Sequence, residues 1–227
     1  AMDGRDEIVF GSMMIDDNGK GLSTTGLGHG DAQHTGDFDP YRWGLEHFAC
    51  NESSPSNNFR NATTSKIYYR LVGTGDDGRA LCGNFTNSFP GCVAKSAGSG
   101  VISTVADKVL PNVPGFDLNF RIYWDGDWLD EYFDSPGTEG YGAIYKPAEA
   151  GGGRWNFPDS KCNNWSKNNP GAIADIFGDW REEVVMRTAD NKVRSYTTNT
   201  QTPWRNYTLW HDHQYRNAVV WQMNGYN

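Results

Sequence analysis

The sequence predicts an all-β chain assembled from repeated short sheets, and three observations carry that prediction. Its 27 glycines and 10 prolines interrupt almost every window in which a helical period would have to run. The apolar runs between them are short and rich in β-branched and aromatic residues, the composition of strands. Finally, an acidic or polar turn leading into an apolar strand recurs at spacings of about 40 to 50 residues, the period of propeller blades of four strands.

In chain order, "DEIVFGSMMI", "SKIYYRLVG", "LNFRIYWDGDWLDEYFDS", "EEVVMRTAD", "KVRSYTTN" and "NAVVWQM" read as strands bounded by turn residues. The repeat is visible in "MDGRDEIVFGS", "GDFDPYRWGLEHFA", "GNFTNSFPGCVAKS" and "FGDWREEVVMRTAD". Glu7, Glu46, Val93 and Glu183 are its equivalent points, and the last interval has room for a further unit centred on "WDGDWLDEYF". A β-sandwich has no reason to repeat in this way. A propeller closes its ring to protect its edge strands, so an arc of four or five blades implies further blades, in a longer chain or in another body that completes the ring. Residues 1–227 are accordingly expected to be one partial propeller domain.

The formal net charge of −8 disfavours nucleic acid and anionic membrane as partners unless cations intervene. No apolar run approaches the ~20 residues of a membrane span. Five Asn-x-Ser/Thr sequons begin at Asn51, Asn61, Asn84, Asn164 and Asn206, the pattern of a secreted glycoprotein if the source is eukaryotic. The four cysteines, Cys50, Cys82, Cys92 and Cys162, match no zinc spacing and read as disulfides or buried thiols.

The segment "GLGHGDAQHTGDFDPYRWGLE", residues 26–46, crowds ligand-type side chains among glycines. Hard cations such as Ca²⁺ take six to eight oxygens, and a glycine-rich turn lets several converge. Asp31, Asp37, Asp39 and Glu46, with His34, are spaced for that role. Asp3 and Asp6, followed by Glu7, form a similar loop. The alternative is that such turns only cap strands and solvate the surface, as Asp and Gly do in most loops. The turn "GNFTNSFPGCV" lacks the acids and is expected to hold no ion.

Long stretches carry a resemblance. "DGRDEIVFGSMMIDDNGKGLSTTGLGHGDAQHTGDFDPYRWGLE", "NFRIYWDGDWLDE", "DIFGDWREEVVMRTADN" and "YTLWHDHQYRNAVVWQMNGYN" resemble, in order, the rhamnogalacturonan lyases of polysaccharide lyase family 11. The resemblance implies an eight-bladed β-propeller with several calcium ions, of which this chain supplies the later blades. It also implies cleavage of the rhamnogalacturonan I backbone of pectin by β-elimination, by a secreted enzyme that is monomeric when complete.

By the same resemblance, His29 matches a histidine of the active cleft, while Asp31 and Glu52 match ligands of a cleft calcium. Arg79 in "GTGDDGRAL" and Lys167 in "NNWSKNNP" match the cations that neutralise the uronate and accept its proton, with the division of labour between them open. Asn164, Ser166 and Tyr226 match positions that contact sugar rings. The chain departs from the pattern at Trp165, where glycine is expected, at Ser166, where threonine is expected, and at Asn51, where histidine is usual. Elimination removes the C5 proton of galacturonate, a carbon acid too weak to ionise unless its carboxylate is neutralised, which calcium with Arg or Lys achieves. A competing reading from another class is a carbohydrate-binding propeller that keeps fold and calcium without chemistry.

Overall fold

A computed structural model describes residues 4–73, 75–98, 100–105, 107–110 and 117–222. The chain divides into two compact units, Ala1–Gly83 with Ser88–Val113, and Asn84–Asn87 with Pro114–Asn227.

The first unit holds three antiparallel sheets whose neighbouring strands are also neighbours in sequence. Sheet one contains β1 (Ile8–Phe10), β2 (Met13–Ile15) and β3 (Gly21–Thr24). Sheet two contains β4 (Gln33–Gly36), β5 (Glu46–Asn51), β6 (Ser56–Asn61) and β7 (Ile67–Val72). Sheet three contains β8 (Ala80–Gly83), β9 (Val93–Ser96), β10 (Val101–Ser103) and β11 (Lys108–Val109). Phe48 on β5 pairs with Phe59 on β6, and both join Cys50, Ala80, Cys82, Ala94 and Ile102 in one buried apolar cluster.

The second unit has two such sheets. Sheet four runs β12 (Phe120–Ile122), β13 (Glu131–Asp134), β14 (Gly142–Lys146) and β15 (Gly153–Phe157). Sheet five has β16 (Ser160–Lys161), β17 (Ala172–Ala174), β18 (Glu183–Thr188) and β19 (Val193–Tyr196). Here β16 pairs with Arg187 and Thr188 while β17 pairs with Glu183 to Val185, and β19 takes the opposite edge of β18. Strands β16 and β17 are therefore two pieces of one strand, parted by a loop. Phe120, Ile122, Trp124, Phe133, Ile144, Ile173, Val184 and Met186 form the core, with Trp124 edge-on to Phe157 at 5.8 Å.

The sequence repeat has a common structural meaning. Glu46, Val93, Glu131 and Glu183 each open the second strand of a sheet. The three glutamates use one carboxylate oxygen to accept two consecutive backbone N–H groups from the turn before the strand. Glu46 Oε2 takes Phe38 and Asp39, each at 3.0 Å, Glu131 Oε2 takes Trp124 and Asp125 at 2.9 and 3.3 Å, and Glu183 Oε2 takes Ile176 and Phe177 at 2.9 and 3.1 Å. Buried backbone donors need partners, and each glutamate satisfies two of them.

The residue before the glutamate makes a second latch. Tyr123 and Glu182 exchange bonds, N–H of Glu182 to O of Tyr123 at 2.7 Å and N–H of Tyr123 to Glu182 Oε2 at 2.9 Å. Asn84 and Asp130 do the same at 2.9 and 2.6 Å. Trp128 and Trp180, three residues before their glutamates, stack with ring centroids 5.0 Å apart.

One expectation is corrected, and the alternative left open for the cysteines is decided. Residues of "NAVVWQM" up to Gln222 belong not to a strand but to the helix α1 (His213–Gln222). Asp212 caps it by accepting the N–H of Gln214 at 2.8 Å, and buried Tyr215 ties it down through its hydroxyl to Glu182 and the N–H of Asp175. The four cysteines are free thiols, and burial pushes Cys50 and Cys162 up to about 12. The sequon at Asn51 is buried, with its side-chain amide turned toward Gly28 O and Ser12 Oγ, so it is closed to a glycan.

Because a thiolate is the reactive species, mild alkylation of the native protein should label Cys92 well before Cys50 and Cys162, and denaturation should expose all four. Peptide mass mapping reads this directly; early labelling of Cys50 or Cys162 contradicts the packing described.

Candidate functional site

Gly28 and Gly30 are required because the backbone there passes against the end of β5. Gly28 has φ +80° and a side chain there would meet Ser53 Cβ at 2.8 Å; one at Gly30 would lie 1.9 Å from the carbonyl oxygen of Cys50. Two bonds seal the approach, Glu52 N–H to His29 O at 2.9 Å and His29 N–H to Ser53 Oγ at 3.3 Å. His29, Asp31 and Glu52 are thereby brought together, their ligand atoms all within 4.8 Å of one another. His29 Nε2 lies 2.8 Å from Asp31 Oδ1 and 3.6 Å from Glu52 Oε2. The histidine also walls an open groove with Phe10, Met13 and Thr24.

Asp76 completes the group, and sequence reasoning missed it. A methyl built at Gly78 would meet Asp76 Oδ1 at 3.0 Å, Asp31 Oδ2 at 3.2 Å and Glu52 Oε1 at 3.3 Å. Three carboxylate oxygens thus converge on a space that one extra carbon would fill. Burial, followed by the charge of Asp31 and hydrogen bonds to Asp31 and Asp76, raises the Glu52 pKa. The donor set, oxygen-rich with one imidazole, fits a hard divalent cation. The available signal was the pair "DD" before a glycine. Its second member, Asp77, is buried and accepts Ser96 Oγ at 2.8 Å and Gly98 N–H at 2.7 Å, leaving Asp76 to face the cluster. Arg79 follows Gly78 in the chain and accepts the Ala97 N–H at its carbonyl, at 2.9 Å.

The other acidic positions differ. Glu46 is fully buried and its Oε1 has no hydrogen-bond partner among the described residues; burial and then the charges of Asp37 and Asp39 raise its pKa against the pull of two backbone N–H groups. Asp39 is already engaged, by Tyr41 N–H and by Arg42 Nε at 2.6 Å. Asp37 and Asp6 are exposed. His34 sits on β4 with Nε2 3.2 Å from the carbonyl oxygen of Ala80. Asp3 and Tyr226 lie outside the described residues.

A second acidic group in the other unit, Asp125, Asp127 and Glu131, has a metal-like arrangement, yet the ammonium of Lys146 occupies it. Lys146 Nζ donates to Asp125 Oδ2 at 2.6 Å, Asp127 Oδ2 at 2.7 Å and Glu131 Oε1 at 3.0 Å. Burial would lower the lysine pKa, but these hydrogen bonds and the charge of Glu131 outweigh it and keep the ammonium charged.

Asn164, Ser166 and Lys167 share the loop that splits β16 from β17. Asn163 and Asn169 close its neck with reciprocal backbone bonds of 2.8 and 3.0 Å. Asn119 Nδ2 holds the carbonyl of Lys167 at 3.0 Å, and Glu139 N–H donates to Asn168 Oδ1 at 3.0 Å.

A family model for the rhamnogalacturonan lyase family 11 C-terminal domain matches residues 1–227. The rhamnogalacturonan endolyase YesW of Bacillus subtilis (strain 168) is 42% identical over 233 residues, covering 99% of this chain and 36% of that protein. The rhamnogalacturonan exolyase YesX of the same organism is 38% identical over 242 residues, covering 99% and 39%. The crystal structures of YesW and YesX superpose with TM-scores of 0.87 and 0.89, each over 100% of this chain and 39% and 40% of theirs. The chain thus spans well under half the length of these relatives.

Two substitutions test the two acidic groups. Gly78→Ala leaves an ordinary backbone conformation but fills the cradle, and should weaken one divalent-cation site by about 10- to 100-fold in calorimetric titration. Lys146→Met strands three carboxylates and should cost about 3 kcal/mol in urea unfolding; an unchanged midpoint would mean that the ammonium is not the counter-charge.

Proposed function

Given that the chain belongs to rhamnogalacturonan lyase family 11 over the span of that family's C-terminal domain, we propose that it forms part of a calcium-dependent enzyme that cleaves rhamnogalacturonan I by β-elimination at galacturonate. The observation that carries the reading is the convergence of Asp31, Glu52 and Asp76 on the Gly78 cradle beside His29. Three antiparallel sheets in the first unit and two in the second, among the described residues, with four strands in sheets two, three and four, support the reading of each sheet as a propeller blade.

In this reading Asp31, Glu52 and Asp76 hold the ion, and His29 fixes the orientation of Asp31 through their hydrogen bond. Bound Ca²⁺ would neutralise the uronate carboxylate and so acidify the carbon beside it. Arg79 and Lys167 are the cations from which the proton acceptor and the second neutralising charge are drawn; a lysine serves as base only with a lowered pKa. Asn164 and Ser166 contact the sugar hydroxyls. An acidic protein then binds an acidic polymer through bridging cations, and secretion places it where pectin is found.

The test follows ultraviolet absorbance of the unsaturated uronate released from rhamnogalacturonan I by the full-length protein, with and without a chelator. Absorbance should rise with calcium and stop on chelation, and Lys167→Ala should reduce product formation while polymer binding persists. Binding with no product under any condition would instead identify a carbohydrate-binding propeller without chemistry.

A further inference from the structure

Lys167 hangs from a backbone that is gripped from outside its own loop. It ends a single 3-10 turn, Trp165–Lys167, which the chain enters through Asn164 at φ +60° and leaves through Asn168 at φ +54°. The turn has little of its own to hold it, the N–H of Lys167 to Asn164 O at 3.0 Å and that of Asn168 to Trp165 O at 3.3 Å. Where the lysine side chain starts is therefore decided by what holds the turn against the sheets.

Asn119 supplies that hold. It sits just before β12, one step beyond the cross-strand pair of Phe120 with Phe133, and so opposite Asp134 at the end of β13. An amide nitrogen carries two hydrogens, and here each has a target: Asn119 Nδ2 lies 3.0 Å from Lys167 O and 2.8 Å from Asp134 Oδ1. The same Asp134 oxygen accepts Asn168 Nδ2 at 3.4 Å, while Asn168 Oδ1 accepts the N–H of Glu139 at 3.0 Å. Residues 167 and 168 are thus both tied to β13 or to the connection that leaves it.

The residue type at position 119 argues that the tie matters. Asn119 has φ +132° and is 3% exposed, a positive φ that glycine would adopt without strain. Glycine would relieve the backbone and lose the amide. Asparagine keeps the strain and spends both N–H groups on the lysine carbonyl and its anchor, and strained backbone of this kind persists where the surroundings over-determine it and concentrates at functional sites.

We propose that Asn119, anchored by Asp134, is a positioning residue that fixes the starting point of the Lys167 side chain and so its approach to the uronate. The inference rests on the reading above of Lys167 as one of the two cations of the elimination. Reacting groups need close placement, and an error of about 1 Å can cost on the order of 100-fold in rate. Asn164 is held separately, by Asn169 Oδ1 at 3.1 Å, so loss of the Asn119 amide displaces the reacting cation more than the sugar contact. Turnover should suffer and affinity should not.

The experiment measures kcat and KM on rhamnogalacturonan I for the full-length protein, for Asn119→Gly, and for the pair Asp134→Ala and Asp134→Asn, with melting temperature in parallel. Asn119→Gly should lower kcat about tenfold and leave KM within about twofold. Asp134→Ala should do the same, and Asp134→Asn, whose amide oxygen still accepts the Asn119 N–H, should recover most of the lost kcat. The inference alone is overturned by an unchanged kcat in Asn119→Gly, by a loss carried by KM, or by an Asp134→Asn variant no better than Asp134→Ala. If Asn119→Gly is unfolded at the assay temperature, the Asp134 pair decides. A parent that releases no unsaturated product, or whose kcat is indifferent to Lys167→Ala, overturns the functional reading of Lys167 and this inference with it.

Discussion

Each of the sheets that begins its second strand with glutamate depends on one interaction, a carboxylate placed in the interior to receive two backbone N–H groups from the preceding turn. A turn entering a sheet edge exposes donors that no ladder satisfies, and apolar packing on both sides excludes water from them. One oxygen of Glu46, Glu131 or Glu183 does that work in every case. Burial raises the pKa of all three, which is the tension that the scaffold accepts. The other oxygen is the free variable. It meets Lys146 in sheet four, the Thr197 hydroxyl at 2.9 Å in sheet five, and nothing among the described residues in sheet two. A single backbone solution thus delivers an ion pair, a neutral hydrogen bond or an unpartnered acid according to one neighbouring side chain.

The acidic cradle stands on a polar interior. Strand β6 is buried along Ser56–Arg60 although four of those five residues are polar. Its amides are spent on support: Asn58 Nδ2 holds Asn51 Oδ1 at 2.8 Å, and Asn57 Nδ2 reaches Ser96 Oγ, which in turn holds Asp77. Asn51 precedes Glu52 and Asp77 follows Asp76, so the neighbours of two converging carboxylates are held by two hydrogen-bonded sets that start from consecutive residues of β6. Fully satisfied networks of this kind rigidify a site, and partly satisfied ones destabilise it.

Strands whose inner positions are apolar, such as "KIYYRLV" and "EEVVMR", were legible because alternation and β-branching survive there. The repeat was legible for the same reason that it exists, since the glutamate latch fixes an acid at one point in sheets two, four and five. The strand SNNFRN was invisible because burial on both faces was achieved with amides rather than with apolar groups. The terminal helix was misread because "AVV" satisfies a strand pattern, and only the capping Asp212 with the anchor Tyr215 decides otherwise. Within the site, His29, Asp31 and Glu52 were within reach of sequence reasoning, whereas Asp76 was hidden in a pair of aspartates that chain order alone does not divide.

The broken strand of sheet five separates two requirements that a loop at a sheet end must meet together. Since β17 resumes pairing on the same edge of β18 that β16 left, the residues between them carry no register information. The base of the excursion is nevertheless built into the core, since Cys162 joins the buried cluster and a side chain at Gly171 would lie 2.8 Å from the carbonyl oxygen of Val185. Only the exposed tip, Asn164 and Trp165, is released from the demands of the sheet, so the segment is a promontory on a fixed footing.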